Sequence, residues 1–490
     1  MKTTAMGLLG ATVLWMAPLA PAQTVVPQGL AQGGLERVRI LEDQQRKELR
    51  ATEYLKVQKR GYTACNTGGW SSTTYFDFED DDNSAATLDA FHGLLRTDFR
   101  AWGHWVTRDN VGVYLRLRKY DHHYYPGVGT LDPDTSKYDA FDLDLGYVDI
   151  PAKDSRIRVG RQFIQVGRGL TLSDNLDGIS ALFQRNAWAV HGFFARTSPM
   201  AENLDLTVAP LGSGGAFRDF GGIEASYTNR KGRRLYGYAV LQNDRTEFKP
   251  QRNATIDLSG YDHGYDANYL AIGADGPITR KLSGYAEIIH EGGRTASQNV
   301  PATGLLDTRE SIAADAFIAA LNYFCLDRRR TNLSLEYAIG TGDADRGSVM
   351  NQLLVGNTPG TRDNAFQYFG TYDLGLALSP RLSNLEVVRL GYSVKPFLDG
   401  RGRPREFQLG AKGSLYRKQN ARCPISTSTA TRSSRALHDV GTGIDLFAAW
   451  RVWSDTSVTV AWGAFLPGDA NAPGFDTATQ RLLVNMTATF

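Results

Sequence analysis

Basic side chains recur at alternate positions in several segments near the start of the sequence. Arg96 and Arg100 flank Asp98, and Arg116 and Arg118 stand two residues apart. Alternate residues of a β-strand point to one face, so each segment would present its basic side chains together. Rings of basic side chains select anions in pores. We therefore predict that these residues attract an anionic solute.

The predicted cationic set extends beyond these two segments. Its members are Arg96, Arg100, Arg116, Arg118, Arg158, Arg161 and Lys412. Arg161 joins the face of Arg158 only if strict alternation breaks, which a β-bulge at Gly160 would achieve. Facing carboxylates are predicted at Asp142, Asp144, Glu224, Glu287, Glu336 and Asp445. A second interpretation stays open, in which ladders of opposite charge only stiffen a wet wall.

Other reactive constellations are weak. The glycine-rich run at 212–215 lacks the Gly-Lys-Ser/Thr of a P-loop, and the 8 histidines show no HExxH spacing. Isolated His191 and His290 are more typical of hydrogen-bonded wall histidines than of a catalytic pair. Acidic runs at 79–83 and 342–345 offer oxygen ligands that suit Ca²⁺, although such runs are usually solvated. We predict no enzymatic activity, no metal site and no cofactor.

The elements that must carry these side chains are strands. The chain has 490 residues, with 51 Gly, 22 Tyr, 22 Phe and 3 Cys, and its net charge is +2. Its mean hydropathy is −0.32. Transmembrane barrels have such compositions because only alternate residues face lipid, while aromatic residues collect at the interfaces. A net charge this small gives no support for nucleic-acid binding.

The N-terminus is typical of a secretory signal peptide. Lys2 precedes an apolar stretch from Met6 to Leu19, and small residues allow cleavage after Ala22. The stretch is too short to span about 30 Å of hydrocarbon as a helix. We predict a signal peptide at 1–22, a periplasmic segment at 23–69 with a charged helix at 34–60, and an outer-membrane barrel at 70–490.

The last ten residues alternate between apolar and polar side chains. Leu482, Val484, Met486, Ala488 and Phe490 are apolar, and the residues between them are polar except for Leu483. This period of two, ending on an aromatic residue, predicts a closing strand of a transmembrane barrel.

Short and long connections alternate along the rest of the chain. Short turns are predicted at 107–110, 151–154, 229–232, 275–277 and 454–456, and long polar loops at 121–137, 198–217, 246–264, 292–308, 341–363 and 418–437. Outer-membrane barrels place short turns in the periplasm and long loops outside the cell. The pattern predicts about eighteen antiparallel strands, with both chain ends periplasmic.

Individual strands separate into an apolar and a charged face. In 331–340, Leu333 and Leu335 oppose Glu336, and the segment 406–416 is predicted to need one register slip near Gly410 or Gly413. An arginine or lysine on the lipid face costs about 2–4 kcal/mol at mid-depth, so the charged faces must point into the barrel. Eighteen strands enclose more space than side chains fill, which predicts a water-filled lumen.

The three cysteines suggest one restricted pairing. Under the predicted topology, Cys65 and Cys325 lie on the periplasmic side, whereas Cys423 lies in an outer loop. Disulfides form in this oxidising compartment. Any intramolecular disulfide is therefore predicted to be Cys65–Cys325.

Several short motifs resemble those of the bacterial alginate-export porins. The similar runs are Leu95-Arg96 with Ala101-Trp102-Gly103, Tyr147-Val148-Asp149, Arg158-Val159-Gly160-Arg161-Gln162, Asn175-Leu176-Asp177, Leu382-Ser383-Asn384-Leu385, Asp439 to Asp445, Gly463 to Ala470 and Pro473-Gly474. They run in order from about residue 90 to the C-terminus, with the terminal Phe490, and together cover most of the predicted barrel.

The resemblance implies an eighteen-stranded monomeric porin that passes an anionic exopolysaccharide through an arginine-lined lumen. It also implies that a periplasmic turn acts as a gate in some members. The partners that we expect are outer-membrane lipid and a periplasmic export machinery. Arg96 and Arg161 match arginines of the family pattern, whereas Asp144, Phe163 and Thr459 stand where further arginines are expected. These departures argue against alginate itself as the solute. Positive charge at the missing positions would be replaced by Arg100, Arg116, Arg118 and Arg158.

The leading hypothesis is thus a passive outer-membrane channel of the alginate-export type. A porin for small anions or sugars is the alternative within transport. A non-conducting surface barrel that uses its long loops for contacts is an alternative of another class.

Overall fold

The computed structural model describes residues 64–79, 91–126, 137–198, 217–245, 264–297, 308–346, 358–397, 406–425 and 433–490. The predicted signal peptide and the predicted helix at 34–60 lie outside these residues. Within the described ranges, no helix is long and apolar enough to span a membrane.

Eighteen antiparallel strands form one sheet, and hydrogen bonds between β1 and β18 close it into a barrel. The strands are β1 Ala64–Glu79, β2 Phe91–Val106, β3 Gly112–Pro126, β4 Lys137–Pro151, β5 Ser155–Gln165, β6 Ser173–Arg185, β7 Trp188–Thr197, β8 Arg218–Thr228, β9 Arg234–Asp244, β10 Tyr265–Pro277, β11 Leu282–Ser297, β12 Thr308–Phe324, β13 Asn332–Gly340, β14 Leu385–Val394, β15 Gln408–Lys418, β16 Asp439–Arg451, β17 Thr456–Pro467 and β18 Thr479–Thr489. The predicted fold class is confirmed: the chain is a transmembrane β-barrel, in which closure leaves no unpaired sheet edge.

The closing strand has the predicted faces. Met486 is 48% exposed on the outer face, whereas Asn485 and Thr487 are buried inside. Leu483, which breaks the polar set, points inward and packs in a cluster with Phe76, Leu376 and Ala461. Its apolar character therefore follows from a contact inside the barrel rather than from lipid.

Short connections gather at one end of the barrel and long ones at the other. We call the end that holds 107–111, 152–154, 229–233, 278–281 and 325–331 the turn rim, and the opposite end the loop rim. The turn predicted at 275–277 lies slightly later, because β10 continues through Pro277 and pairs with β11. The loop predicted at 341–363 also extends further, since β14 begins only at Leu385.

Two predicted irregularities lie elsewhere. In β15, Leu409 and Leu415 are exposed and Ser414 and Tyr416 are buried without any slip at Gly410 or Gly413. The register shift occurs between Tyr416 and Arg417. Gly441 of the facing strand has φ 137°, a conformation that favours glycine and takes up the shift.

The bulge predicted at Gly160 is also displaced. Strand β5 pairs with β6 in unbroken register, so Arg161 falls in the alternating set of Ile157 and Val159, which are exposed. The bulge lies instead in β4, where the register with β3 shifts and Asp144 is the extra residue between Leu143 and Leu145. A bulge places neighbouring residues on one side, which leaves both Asp144 and Leu145 buried.

The predicted Cys65–Cys325 disulfide is wrong, because all three cysteines are free. Cys65 lies in β1, whereas Cys325 follows β12, and the strands β13 to β18 separate the two. They thus stand across the mouth of the barrel from each other. A disulfide needs Cα atoms within about 7 Å.

The core of the barrel is filled from inside by two connections. We call residues 166–172, between β5 and β6, the inner turn, and residues 363–384, between β13 and β14, the inner segment. Val166 and Leu170 of the inner turn are fully buried, as are Phe366 and Leu382 of the inner segment. The two connections meet, with Phe369 N donating to Thr171 O at 2.9 Å and Gly370 N to Leu170 O at 3.0 Å.

Candidate pore-lining site

Four of the predicted cationic residues lie together on adjacent strands. Register pairs Arg100 of β2 with Arg118 of β3, and Arg116 and Arg96 lie on the same inner face. We call Arg96, Arg100, Arg116 and Arg118 the arginine wall. Like charges this close repel unless carboxylates lie between them, and the structure supplies two.

Asp98 binds three members of the arginine wall. Arg118 donates to its Oδ2 from Nε at 2.9 Å and from Nη2 at 2.7 Å. Arg100 Nε lies 3.1 Å from Oδ1, and Arg96 Nη2 lies 3.4 Å from Oδ2. One buried carboxylate therefore fixes the orientation of three guanidinium groups, since a carboxylate can accept several hydrogen bonds.

Asp144 supplies the second carboxylate because the β4 bulge turns it inward. Arg116 Nε donates to its Oδ2 at 2.6 Å, and Arg100 Nε lies 3.3 Å from the same oxygen. Trp70 of β1 supports both guanidinium groups, whose central carbons lie 5.3 Å and 5.4 Å from its ring centroid. Cations over an aromatic face are stabilised by the ring quadrupole.

The arginine wall therefore keeps a surplus of positive charge. Its four guanidinium groups contact the two carboxylates of Asp98 and Asp144. Asp142, which is paired in register with Arg118, lies 3.4 Å from Arg161 Nη1. Arg96 is the most accessible member, with a side chain that is 34% exposed, compared with 9% for Arg100. A charge that is partly compensated and partly accessible can attract an anion without trapping it.

Arg158 stands in a separate group closer to the turn rim. Its guanidinium carbon lies 4.1 Å from the Tyr147 ring centroid, and its Nη2 lies 3.9 Å from Asp149. Arg156 Nε binds the same carboxylate at 3.2 Å. Two arginines here share one aspartate, so this group also carries surplus positive charge.

Arg161 links β4 and β5 at the point where their backbone pairing ends, which we call the seam. The pairing of β4 with β5 ends at Gly146–Arg161, and Arg161 Nη1 donates to the Leu143 carbonyl oxygen beyond that point at 2.6 Å. Its Nε and Nη2 bind the two oxygens of Asp177 at 2.7 Å and 2.9 Å. Its Nη1 also lies 3.4 Å from Asp142 Oδ1. These contacts join β4, β5 and β6, which is a structural role.

Lys412 lies apart from the arginines, on β15. It is paired in register with Asp445 of β16, and its Nζ lies 5.9 Å from the Phe447 ring centroid. The strands β16, β17, β18 and β1 separate it from the arginine wall. The structure thus divides the predicted cationic set into a cluster of four and three separate positions.

The acidic residues predicted on the facing walls mostly hold the inward connections. Glu224 accepts a hydrogen bond from Gly167 N at 2.7 Å, and Glu287 accepts one from Arg168 N at 2.9 Å. Asp445 accepts one from Leu376 N at 3.1 Å. These carboxylates satisfy backbone groups that would otherwise be buried without partners.

Glu291 does the same for the inner segment, although the sequence prediction did not include it. It accepts from Gln367 N at 2.8 Å and from Tyr269 at 2.9 Å. Tyr372 bonds to Glu336 and lies 2.8 Å from the Tyr285 hydroxyl oxygen. Buried tyrosines and carboxylates therefore form the docking surface on β10, β11 and β13.

The inner segment is the main structural element inside the barrel that the sequence analysis did not predict. Its signal was the aromatic and apolar run Ala365-Phe366-Gln367-Tyr368-Phe369, followed by Leu374 to Leu378. Exposed loops rarely carry so many large apolar residues. Hydrogen bonds join this segment to every strand from β10 to β16 and to β18. The arginine wall occupies β2 and β3.

The departures from the family pattern also have defined places. Phe163 packs against a cluster of Tyr114, Leu145 and Tyr147, and Thr459 is 7% exposed inside β17. Phe163 therefore contributes packing to the wall rather than attraction for an anion. Asp144, the third departure, is the carboxylate that binds Arg116.

The fold is similar to that of solved outer-membrane proteins. Acinetobacter baumannii OccAB1 aligns with a TM-score of 0.53 and 12% identity, over 87% of this chain and 96% of that one. Pseudomonas aeruginosa OccK8 (OprE) aligns with a TM-score of 0.53 and 10% identity, over 87% and 98%. Acinetobacter baumannii OccAB4 aligns with a TM-score of 0.52 and 10% identity, over 88% and 99%. These likenesses concern the fold alone.

A comparison with curated protein sequences found no significant match. The sequence model of the family described as Alginate export matches residues 67–485. That range runs from the first strand to the last and includes the arginine wall and the inner segment. The protein is therefore an outer-membrane β-barrel channel that belongs to the alginate export family.

Proposed function

We propose that this channel passes an anionic exopolysaccharide along the arginine wall by passive diffusion. In this proposal the turn rim faces the periplasm, where an export machinery would deliver the polymer to a monomeric barrel. The loop rim faces the cell exterior. Arg158, close to the turn rim, would meet the polymer before the arginine wall does.

The observation that carries the proposal is the surplus of guanidinium groups over carboxylates at Asp98 and Asp144. A polyanion needs attraction that is spread over several weak sites, because a single strong site would hold it. Asp98 and Asp144 compensate part of the positive charge and so weaken the attraction of each arginine for an anion. Arg96, whose side chain is 34% exposed, stays accessible to a solute. Arg161 has a structural role in this account, since its donors are committed to the seam.

The experiment is ion selectivity in planar bilayers, with the purified barrel and its Arg96→Gln and Arg118→Gln variants. A unit charge about 4 Å from a passing ion contributes about 1 kcal/mol in water, which is about a fivefold change in local ion concentration. We expect chloride selectivity in the native barrel and a loss of up to about fivefold in each variant.

Arg417→Gln is the matched control, because Arg417 is 60% exposed on the outer face of β15, where it lies 4.0 Å from Glu386. It should leave selectivity unchanged. A native barrel that prefers cations, or variants that behave like this control, would contradict the arginine wall as the solute path.

The inner segment favours a second candidate, a porin for small anions or sugars, because it occupies space that a polymer would need. Conductance separates the two candidates. A barrel that conducts at once and admits an uncharged disaccharide in liposome swelling is a general porin. An exporter should conduct poorly until the inner segment is displaced.

A further inference from the structure

The outer face of the barrel carries an apolar groove near the turn rim, with a volume of about 520 Å³. Its floor consists of small residues in two successive rows across adjacent strands: Ala274, Ala286 and Ala319 form one row, and Gly276 and Gly284 form the next. Leu321, Leu335 and Tyr337 form one side, and Ile278 lies at the end nearest the turn rim. This volume lies within the range of small-molecule sites.

The groove opens to hydrocarbon rather than to the lumen. Ile272 and Ile288, one step further from the turn rim on the same face, are 57% and 53% exposed. Leu321 and Leu335 are 43% and 45% exposed. A membrane barrel places such residues against lipid, so the occupant of the groove must be at least partly apolar.

A fixed cation stands at the lower end of the groove. Arg233, which lines the groove and is exposed, donates from Nε to Pro277 O at 2.8 Å and from Nη2 to Ile278 O at 2.7 Å. Both acceptors are carbonyl groups, so these contacts orient the guanidinium without neutralising it. The charge is therefore held where the apolar surface meets the interface.

The turns around this groove are strongly basic. The three turns 229–233, 278–281 and 325–331 contain Arg230, Lys231, Arg233, Arg280, Lys281, Arg328, Arg329 and Arg330, against one carboxylate, Asp327. The turns at 107–111 and 152–154 each carry one cation and one aspartate. Basic residues at a membrane surface attract anionic lipid headgroups, and these three turns place eight of them beside the groove.

We propose that the groove binds an anionic phospholipid of the leaflet at the turn rim, with an acyl chain against the alanine and glycine floor. Its phosphate would lie at Arg233, with Arg280 and Lys281 close by on the next turn. An acidic soluble partner would explain the basic turns but not the apolar groove above them. This site is independent of the arginine wall, which lies on the inner face.

The test is native mass spectrometry of the detergent-purified barrel, titrated with phosphatidylglycerol or phosphatidylcholine. Phosphatidylglycerol should be retained at lower concentration. Arg233→Gln should weaken its retention by about fivefold, the contribution of one cationic side chain near a lipid surface, and Arg108→Gln on a distant turn should not.

Filling the groove tests the apolar half of the site. Ala286→Leu combined with Ala319→Leu should abolish the preference for phosphatidylglycerol. Ala411→Leu is the control, because it lies at an outward position of β15 away from the groove, and it should leave the preference unchanged. Heat-modifiable migration on gels verifies that each variant is folded. Equal retention of both lipids, full retention in the filled variant, or a dimer that occupies the groove instead would overturn the proposal.

Discussion

At the scale of single residues, the aspartates decide how much of the arginine charge is available to a solute. Asp98 contacts three guanidinium groups and Asp144 contacts two. Removing one partner of such a pair leaves the other charge buried and uncompensated. The arrangement therefore maintains both the shape of the arginine wall and its modest surplus of charge.

Two cysteines differ sharply in their surroundings and give a residue-scale prediction. Cys65 is exposed, whereas Cys423 is fully buried, and burial raises the pKa of its thiol to about 11. At pH 8 only about a thousandth of the Cys423 thiol is thiolate, and the thiolate is the reactive form. Maleimide should label Cys65 about a hundredfold faster or more in the folded barrel.

The measurement uses two variants that each keep one cysteine. One combines Cys325→Ser with Cys423→Ser, and the other combines Cys325→Ser with Cys65→Ser. Raising the pH toward 11 should speed the labelling of Cys423, since the thiolate fraction rises. Unfolding should make the two rates similar. Equal rates in the folded barrel would contradict the buried position of Cys423.

At the scale of elements, the inner segment depends on the close approach of two backbones. A Cβ added to Gly370 would overlap the carbonyl oxygens of Gly169 and Leu170, far inside van der Waals contact. Only glycine allows this approach. The contact between the inner turn and the inner segment therefore depends on this residue.

Gly370→Ala should therefore loosen the inner segment. Overpacking of this kind costs about 1–3 kcal/mol, so the free energy of unfolding should fall and single-channel conductance should rise. Gly413→Ala is the control, because no atom lies within 4 Å of the position that its new Cβ would occupy. If both variants conduct like the native barrel, the inner segment does not limit the lumen.

At the scale of the whole molecule, closure and the two-faced strands determine where the barrel sits. Phe490 exchanges backbone hydrogen bonds with Gly69, each at 3.0 Å, and its ring stacks on Phe99. The last residue thus joins the first strand at the turn rim. Every strand is paired on both sides, which a membrane requires.

The free-energy cost of a charge on the lipid face reports how deep its position lies in the membrane. Leu390, in the middle of β14, and Leu326, at the turn rim, are 63% and 62% exposed. Leu390→Arg should cost about 2–4 kcal/mol, and Leu326→Arg only about 0–1 kcal/mol, because the cost of a charge depends on depth. Reversible unfolding in lipid vesicles measures both, and equal costs would argue against this placement of the barrel.

The sequence alone determined the strands, their faces and the number of crossings, because period-two alternation and turn residues are local properties. Leu333, Leu335 and Glu336 took their predicted sides for this reason. Asp98 and the arginines around it were also predictable as one face, since they alternate along two neighbouring segments.

Only the tertiary structure decided what the charges do. Arg161 closes a seam because the pairing of β4 and β5 ends beside it, and Glu287 holds the inner turn because a distant connection folds back into the lumen. The Glu287 contact joins residues 119 positions apart, whereas the Arg161 contacts cross neighbouring strands whose pairing the sequence does not show. Alternation fixes the side of the wall to which a side chain points, whereas its partner depends on which loops enter the barrel.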